Sequence, residues 1–291
     1  MSAGFAGDVP INLERQARSA SLVSRSIQSI CDGLYRDGPV ESTLRDLLPA
    51  ELREPRVAAL CCTGFLLEEE LAELRTLLCK SVVDPDLEGP RVLLDVGCGR
   101  GRLGACLAAA LGARLVGFDK CRAAIASARA AESGSGACFL LGDFAAIPLP
   151  SVFAHAALSL DAVYLAAAPE AALAEVARVL LPGATFCFTA YLSQRPPPGV
   201  IGLRRGWEEF FAGTGLEVRE KRDWTGRWRA AQHRKHSERW LRRHELLSSL
   251  GPAVEPHLST SAAMLGHSGR PPLIDSIERV LFVTARPGKC E

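Results

Sequence analysis

The sequence predicts an α/β protein with a mostly parallel central sheet that helices cover on both faces. After residue 90, short apolar runs typical of buried strands alternate with alanine-rich stretches typical of helices. A glycine-rich segment at 93–104, LLDVGCGRGRLG, stands where the first strand should pass into a helix. We expect a ligand at this turn, because its glycines leave room for one.

Composition limits the class of protein. The 291 residues are 48% hydrophobic, which is enough for one large domain or for a domain with an appended module. Lys and Arg number 34 against 33 Asp and Glu, so the total charge of +1 indicates neither nucleic acid nor membrane as a partner. The longest apolar run, 57–67, is shorter than the roughly 20 residues of a membrane span. We therefore expect a soluble chain.

The cysteines indicate a reducing compartment. Ten of them are scattered through apolar or helical stretches without a C-x-x-C pair, and we identify no secretory leader. They predict reduced, mostly buried thiols in a cytoplasmic protein. Because no His, Cys or carboxylate cluster has metal-ligand spacing, we expect no metal.

Residues 1–85 are predicted to form a helical cap. Apolar residues recur at helical spacing within 22–35, 44–48 and 66–78. The linker VVDPDLEGP, with two prolines and one glycine, marks the end of this region. The cap covers the edge of the sheet, closes as a lid over bound ligands, or does both. Tyr35, at the end of the first long helix, is a substrate-contact candidate.

Strands are predicted at seven places after the linker. Five lie at RVLLDV, ARLVGFD, CFLLGD, AALSL and ATFCFTAY, and Pro182 and Gly183 end the helix that precedes the fifth. Two more lie at LEVREKRDW and IERVLFVTARP. Residues 225–276 between these two are basic and helical, and then rich in Pro, Gly and Ser. They predict an insertion before the last strand.

The glycine turn favours a cationic ligand. Gly99, Gly101 and Gly104 satisfy G-x-G-x-x-G, which by itself is a weak signal for a dinucleotide. Asp95 lies two positions before the first glycine of the turn, Gly97. A carboxylate aimed into this pocket repels a pyrophosphate and attracts a cation.

An acidic residue followed by G-x-G-x-G resembles the first motif of the class I S-adenosylmethionine-dependent methyltransferases. Asp95 and the following glycines match it without a gap. Asp119 ends the second strand, 18 residues after Gly101, where the resemblance implies the acid that binds the ribose. The segment LLGDF resembles the adenine-edge motif, which places Asp143 near the exocyclic amine and Phe144 beside the ring.

The stretch 156–191 resembles the fourth strand, helix and fifth strand of the small-molecule branch, which includes ubiquinone and menaquinone biosynthesis methyltransferases of type 11. The resemblance covers about 90–225 and the final strand. It implies a Rossmann-like seven-stranded mostly parallel sheet, a methyltransferase domain at 86–291 and a helical lid insertion at about 225–276. The cofactor is then S-adenosylmethionine and the product S-adenosylhomocysteine. The implied cofactor-binding residues are Asp95, Gly97, Gly99, Gly101, Asp119, Lys120, Asp143, Phe144 and Leu160.

Asp161 and Tyr164 are the catalytic candidates, because they leave the fourth strand at its carboxyl end, where open α/β sheets bind ligands. DAVY keeps the spacing of the N-P-P-Y motif of amino-methylating enzymes but lacks the prolines and the amide. This departure argues against the nucleic-acid branch. Asp161 either contacts the amino group of the cofactor or acts as a base, and Tyr164 either joins the site or packs only.

The implied reaction is an in-line displacement by an O, N or C acceptor on a small molecule, such as a natural-product or quinone-like intermediate. An RNA or protein methyltransferase and a non-catalytic cofactor-binding partner are the alternatives. We expect no membrane partner and no nucleic acid, and a homodimer is compatible with the sequence.

A basic segment, 219–243, supports the RNA alternative. It holds ten Lys and Arg against three acids, a charge of +7, with three interleaved tryptophans. Helical spacing places His233, His236, Trp240 and His244 on one face. We interpret the segment first as an amphipathic lid helix with solvated arginines. Among its functional interpretations, we favour a clamp for an anionic acceptor over an RNA surface. The further substrate candidates are Tyr191, His233, His236 and Trp240, and the clamp arginines are Arg239, Arg242 and Arg243.

Overall fold

The computed structural model describes residues 66–82, 90–194, 196 and 202–288. These form a seven-stranded sheet in the order β3-β2-β1-β4-β5-β7-β6. Only β7 runs antiparallel to its neighbours among the described strands. The strands are β1 (Val92–Val96), β2 (Arg114–Asp119), β3 (Cys138–Leu141), β4 (Ala154–Ser159), β5 (Leu180–Leu192), β6 (Glu217–Asp223) and β7 (Glu278–Ala285). The predicted mostly parallel sheet is confirmed.

Seven α-helices lie within the described ranges, and those that alternate with the first five strands connect them as crossovers. The helix before β5 ends at Val179, and Gly183, three residues into the strand, has φ +82°. The predicted helix end is therefore correct to within a few residues. The helices are α1 (Glu68–Val82), α2 (Arg102–Leu111), α3 (Arg122–Ala131), α4 (Pro169–Val179), α5 (Thr225–Leu241), α6 (Arg243–Leu250) and α7 (Glu255–Leu265).

Each face of the sheet has its own apolar core. Phe186, Phe188 and Phe282 fill the core on the α4 side. On the other face, Leu74 and Leu78 of α1 pack in one cluster with residues of β1, β4, β5 and β7. The sequence assigned the helix α1 to the cap. In the structure it belongs to the layer of helices that covers this face of the sheet. The domain boundary at 85 stays a prediction.

A third apolar cluster joins α5 and α7 to the carboxyl end of β5. Its buried members include Trp228 and Ala231 from α5 and Met264 from α7, and Tyr191 near the end of β5 packs against them. The segment after β6 therefore lies against the sheet edge where Asp119 and Ser159 end their strands. No helix in the described ranges is long and apolar enough to cross a membrane.

Candidate active site

The glycine turn between β1 and α2 has a backbone that only glycine adopts easily. Gly97, Gly99 and Gly101 have φ of +75°, +53° and +74°. The amides of Gly97 and Cys98 both donate to the carbonyl of Phe118, each at 2.9 Å, which ties the turn to β2. A Cβ on Gly97 would lie 2.6 Å from Ala162 Cβ. The turn therefore lies directly against the exit of β4.

Gly104 has a different role from these three. A Cβ at this position would lie 2.5 Å from Asp95 Oδ2 and 2.9 Å from the Leu115 side chain. The glycine thus allows α2 to pack closely on β1 and β2, as its small size predicts.

Two carboxylates lie beside the turn without a cationic partner. Asp95 is buried, and Asp119 accepts hydrogen bonds from the amides of Gly99 at 2.9 Å and Cys121 at 2.8 Å. Burial, with a contribution from the nearby Asp119 charge, raises the pKa of Asp95 to about 7. Burial also raises the pKa of Asp119. No Lys or Arg of the described residues forms an ion pair with either, so the turn suits a ligand that carries positive charge.

The end of β3 brings Asp143, Phe144 and Lys120 to the same edge. Asp143 is exposed, accepts the amide of Ala145 at 3.0 Å and pairs with Lys120 Nζ at 3.1 Å. The Phe144 ring meets Phe118 edge to face, with centroids 6.2 Å apart, and borders Gly97. Lys120 thus reaches Asp143 directly. Leu160 lies next to the β4 exit, partly buried against the α1 side of the core.

Asp161 is held by donors from two strands, β5 and β7. Its φ of +52° is uncommon outside glycine, although Asp tolerates this region better than most residues. Tyr191 donates its hydroxyl to Asp161 Oδ1 at 2.9 Å, and Thr189 Oγ1 lies 3.0 Å from the same oxygen. Arg279 reaches both carboxylate oxygens at 3.3 Å. Asp161 is therefore fixed in position rather than free to move.

Arg279 connects Asp161 to α1. Its side chain is 1% exposed, and its other terminal nitrogen lies 2.9 Å from Oε2 of Glu70, whose side chain is fully buried. Burial raises the pKa of Glu70 despite this pairing. The guanidinium also lies 5.2 Å from the centre of the Trp224 ring. We call Glu70, Arg279 and Asp161 the charge triad.

Two members of the charge triad were missed at the level of sequence. Glu70 stands among three glutamates that read as the polar start of an amphipathic helix. Arg279 directly precedes the apolar run VLFV inside the predicted last strand, and a charge at that strand position was the available signal. Its partner across the sheet is Tyr191, directly opposite in the antiparallel ladder.

Tyr164 and Tyr191 meet at the exit of β4. Their rings are perpendicular, with centroids 4.9 Å apart, and Tyr191 lies 5.3 Å from the Trp228 ring of α5. Burial and the Asp161 charge hold the pKa of Tyr191 well above its usual range, so it is a hydrogen-bond donor. The structure therefore brings both catalytic candidates together with one substrate candidate.

The predicted histidine face on α5 is wrong. His236 is buried, with Nδ1 3.0 Å from Ser261 Oγ, whereas His233 and His244 are exposed. The buried face follows Trp228, Gln232 and His236, and His233 lies about 100° around the helix from Gln232. His244 belongs to the next helix, because α5 ends at Leu241.

The remaining substrate candidates lie apart from this edge or beyond the described residues. Trp240 stacks on His267, with ring centroids 4.8 Å apart. Burial and nearby cations lower the pKa of His236 to about 2, so this imidazole is neutral. Tyr35 lies outside the described residues. Within the ranges that the structure describes, no group of three or more His, Cys, Asp or Glu could hold a metal ion.

Comparison with known proteins agrees with this geometry. Residues 94–188 match a family model described as a methyltransferase domain. No curated protein matches the chain significantly. The (4+2) cyclase SpnF is similar in structure, with a TM-score of 0.62 and 20% identity over 84% of this chain and 94% of its own.

Two methyltransferase structures are also similar. Geranyl diphosphate C-methyltransferase from Streptomyces coelicolor A3(2) has a TM-score of 0.54 and 17% identity, covering 97% of this chain and 100% of its own. Phosphoethanolamine N-methyltransferase 2 from Haemonchus contortus, in complex with S-adenosyl-L-methionine, has a TM-score of 0.60 and 15% identity, covering 84% and 60%. At this identity, the likeness is one of fold.

The seven-stranded, mostly parallel sheet and the likeness to these structures show a methyltransferase fold, and residues 94–188 match a methyltransferase domain.

Proposed function

We propose that the protein transfers the methyl group of S-adenosylmethionine to a small-molecule acceptor that binds between the β4 exit and α5. One observation carries this proposal: Asp95 and Asp119, without cationic partners, face the same sheet edge as Tyr164 and Tyr191. That edge therefore offers an anionic cofactor side and an aromatic acceptor side. The names of two similar structures, geranyl diphosphate C-methyltransferase and phosphoethanolamine N-methyltransferase, also favour a small acceptor.

On the cofactor side, we assign the binding to the predicted set of residues. The turn at Gly97–Gly101 gives the ligand access to backbone, and Asp119 keeps lone pairs for the ribose hydroxyls beyond its two amide bonds. Asp95 contributes negative charge. Phe144 and Asp143 lie on either side of the proposed position of the adenine ring. When bound, the cofactor would supply an electrophilic methyl group on a sulfonium sulfur. The acceptor would form a bond to the methyl carbon, and the sulfur would leave with the electron pair of the broken C–S bond.

On the acceptor side, we assign Asp161 a positioning role rather than that of a general base. Tyr191, Thr189 and Arg279 all direct donors at its carboxylate, so its oxygens are engaged and its position is fixed. Its fixed charge orients the Tyr191 hydroxyl. Tyr164, partly buried beside Tyr191, is the group that we expect to contact the acceptor. Alignment and exclusion of water then supply most of the catalysis.

The basic segment supports a small acceptor over RNA, because much of its charge is paired within the protein. Arg222 and Arg227 both reach Glu73, at 2.6 and 3.1 Å, and Arg242 pairs with Glu245 at 2.6 Å. Arg229 donates to the backbone carbonyls of 274, 275 and 277. All six cysteines that the structure describes are free thiols, which supports the proposed cytoplasmic setting.

Calorimetry and a product assay test the proposal together. We expect the purified protein to bind S-adenosylmethionine and S-adenosylhomocysteine without added metal. We also expect release of S-adenosylhomocysteine only when a suitable small molecule is present. A folded protein that gives no heat with either ligand would contradict the cofactor site. Binding without product across a broad acceptor panel would instead favour a protein that uses this fold without methyl transfer, as the name of the cyclase SpnF illustrates.

A further inference from the structure

The turn at 160–163, which we call the Asp161 turn, lies between the two sides of the proposed site. On the cofactor side it contacts the glycine turn, since a Cβ on Gly97 would lie 2.6 Å from Ala162 Cβ. On the acceptor side, Asp161 Oδ1 accepts the Tyr191 hydroxyl at 2.9 Å. A shift of the Asp161 turn would therefore disturb both sides.

The backbone of the Asp161 turn requires support from its surroundings. Asp161 has φ +52°, and a residue other than glycine keeps such a backbone only where neighbouring groups hold it. From β5, Thr189 Oγ1 accepts the Asp161 amide at 2.8 Å, and the hydroxyls of Thr189 and Tyr191 contact the carboxylate. From β7, Arg279 lies 3.3 Å from both carboxylate oxygens. Of these three side chains, Arg279 alone carries a charge.

Arg279 is itself anchored on α1. Its other terminal nitrogen, Nη1, lies 2.9 Å from Glu70 Oε2, and the two side chains are 1% and 0% exposed. Glu70 is fixed in turn, because the same oxygen accepts the Leu67 amide at 3.2 Å at the start of the helix. The donors of a planar guanidinium point in fixed directions. The contact with Glu70 therefore sets the direction from which Arg279 holds Asp161.

A second arginine provides a comparison, because it also attaches α1 to the sheet. Arg222 of β6, the strand next to β7, lies 2.6 Å from Glu73 Oε1 on α1. Its remaining side-chain hydrogen bonds among the described residues are to Glu220 of its own strand. Both arginines thus contact a glutamate of α1, whereas the contact with the Asp161 turn belongs to Arg279.

We propose that Arg279 is a positioning residue of the methyl-transfer site: anchored by Glu70, it holds the Asp161 turn against the glycine turn and so fixes the geometry of the cofactor site. This inference rests on the proposed function. Arg279 acts through Asp161 and not by contact with the cofactor or the acceptor. Lysine at this position keeps the charge but replaces the planar fork by a single ammonium group, which cannot hold both carboxylates in the same directions. The Asp161 turn should then loosen although the buried charge is still present.

Calorimetry with S-adenosylhomocysteine as the probe compares the wild type with Arg279→Lys and with the matched control Arg222→Lys. We expect Arg279→Lys to bind roughly tenfold more weakly than the wild type, and Arg222→Lys to bind within about a factor of two of it. Thermal unfolding identifies a temperature at which all three proteins are folded. At that temperature a loss of stability alone leaves the dissociation constant unchanged. If Arg279→Lys does not fold, Glu70→Gln and its control Glu73→Gln replace the pair, with the same order expected.

A double variant tests whether the effect passes through the Asp161 turn. Asp161→Gly leaves the pair of Glu70 and Arg279 intact, and glycine adopts the positive φ without support. In this background, Arg279→Lys is expected to change the dissociation constant by less than about a factor of two, because the group through which it acts is absent.

Four results would overturn the inference. They are unchanged binding to Arg279→Lys, an equal loss in Arg222→Lys, an equal effect of Arg279→Lys in both backgrounds, and a folded Asp161→Gly that no longer binds. The last result would mean that the carboxylate itself contacts the cofactor. In each case, S-adenosylhomocysteine binding by the wild type leaves the proposed function standing, whereas a folded wild type that does not bind would reject that function as well.

Discussion

At the scale of single residues, the site depends on where a side chain is absent as much as on where one is present. Gly97 needs both a positive φ and the space of a missing Cβ, since Ala162 and Phe144 already occupy that space. Gly112, at the end of α2, also has a positive φ, of +63°, but nothing lies within 4 Å of its Cβ position. A substitution at Gly112 therefore introduces backbone strain alone, whereas the same substitution at Gly97 adds a steric clash.

We expect Gly97→Ala to abolish or strongly weaken cofactor binding, and Gly112→Ala to leave it unchanged. Both substitutions place a Cβ in a disfavoured backbone region, which costs on the order of 1 kcal/mol of stability. Only the first also pushes Ala162 and Phe144 out of position. Calorimetry with S-adenosylhomocysteine and thermal unfolding measure the two effects. Equal affinity in both variants would show that the turn does not contact the cofactor.

Asp119→Ala is expected to weaken S-adenosylhomocysteine binding by about 1–3 kcal/mol, which is the usual effect of removing a charged acceptor from buried donors. The substitution removes acceptors for the ribose and leaves the Gly99 amide without its partner. Asp275→Ala, which removes an exposed carboxylate from the far end of the insertion, is the control. An unchanged dissociation constant for Asp119→Ala would mean that another residue binds the ribose.

At the scale of elements, the charge triad joins α1, the β4 exit and β7 into one unit. Glu70 comes from the helix, Asp161 from the loop and Arg279 from the strand, and Glu70 and Arg279 are 209 residues apart in the chain. A buried pair stabilises little by itself, but removing one partner leaves an uncompensated charge. The triad therefore couples the docking of α1 to the position of Asp161.

Arg279→Met is expected to destabilise the fold by about 3–5 kcal/mol, because it leaves two carboxylates buried without a cation. Glu70→Gln introduced together with it should recover part of this loss, giving a coupling energy of about 0.5–3 kcal/mol. Arg242→Met, an exposed pair, should change stability by about 0.5 kcal/mol or less. Urea unfolding of Arg279→Met, Glu70→Gln, Arg242→Met and the Arg279→Met/Glu70→Gln double variant measures these differences. Additive effects would show that Glu70 and Arg279 do not act as a unit.

At the scale of the whole molecule, two buried groups give opposite pH dependence. The folded pKa of Asp95 is raised to about 7, so its contribution to stability is complete below its unfolded pKa of about 4 and is lost as pH rises towards 7. The folded pKa of His236 is lowered to about 2, so its contribution is complete above about 6.5 and is lost as pH falls below that. Between about pH 4 and 6.5 the two effects oppose each other.

We expect the two substitutions to change the pH profile of stability in opposite directions. Asp95→Asn removes the first effect, so stability of the ligand-free variant should fall on acidification from pH 7 to 5, by on the order of 2 kcal/mol more than in the wild type. His236→Gln removes the second, and its stability should rise on acidification relative to the wild type. Denaturant unfolding at pH 5, 6 and 7 measures both. Parallel profiles for all three proteins would show that neither group titrates abnormally.

Cofactor binding should be linked to the ionisation of Asp95. Because a cationic ligand favours the ionised form of Asp95, we expect S-adenosylmethionine to release up to about one proton on binding near pH 6. Calorimetry in two buffers that differ in ionisation enthalpy gives the number of protons released. In Asp95→Asn that number should fall close to zero, while an unchanged number would assign the proton to another group.

Several parts of the site were predictable because they depend on local chemistry. Strand ends, a glycine turn and an acid at a fixed distance are all read from short segments, and parallel strands bring their carboxyl ends to one edge. Asp95, Asp119, Asp143 and Asp161 were placed in this way, and the structure has them at that edge. The segment α1 was predicted as a helix, but helical periodicity does not show which surface that helix covers.

The sequence by itself determined the elements, the glycine turn and the class of the protein, because spacing and backbone preference act over a few residues. Only the tertiary structure decided which charges meet. It paired Arg279 with Glu70 and Asp161, buried His236 while exposing His233, and, among the described residues, left the buried Nε of Arg239 without a hydrogen-bond partner near the paired Arg242. An arginine in a basic segment has the same local pattern whether or not it is paired, because ion pairing and desolvation depend on what distant parts of the chain bring against it.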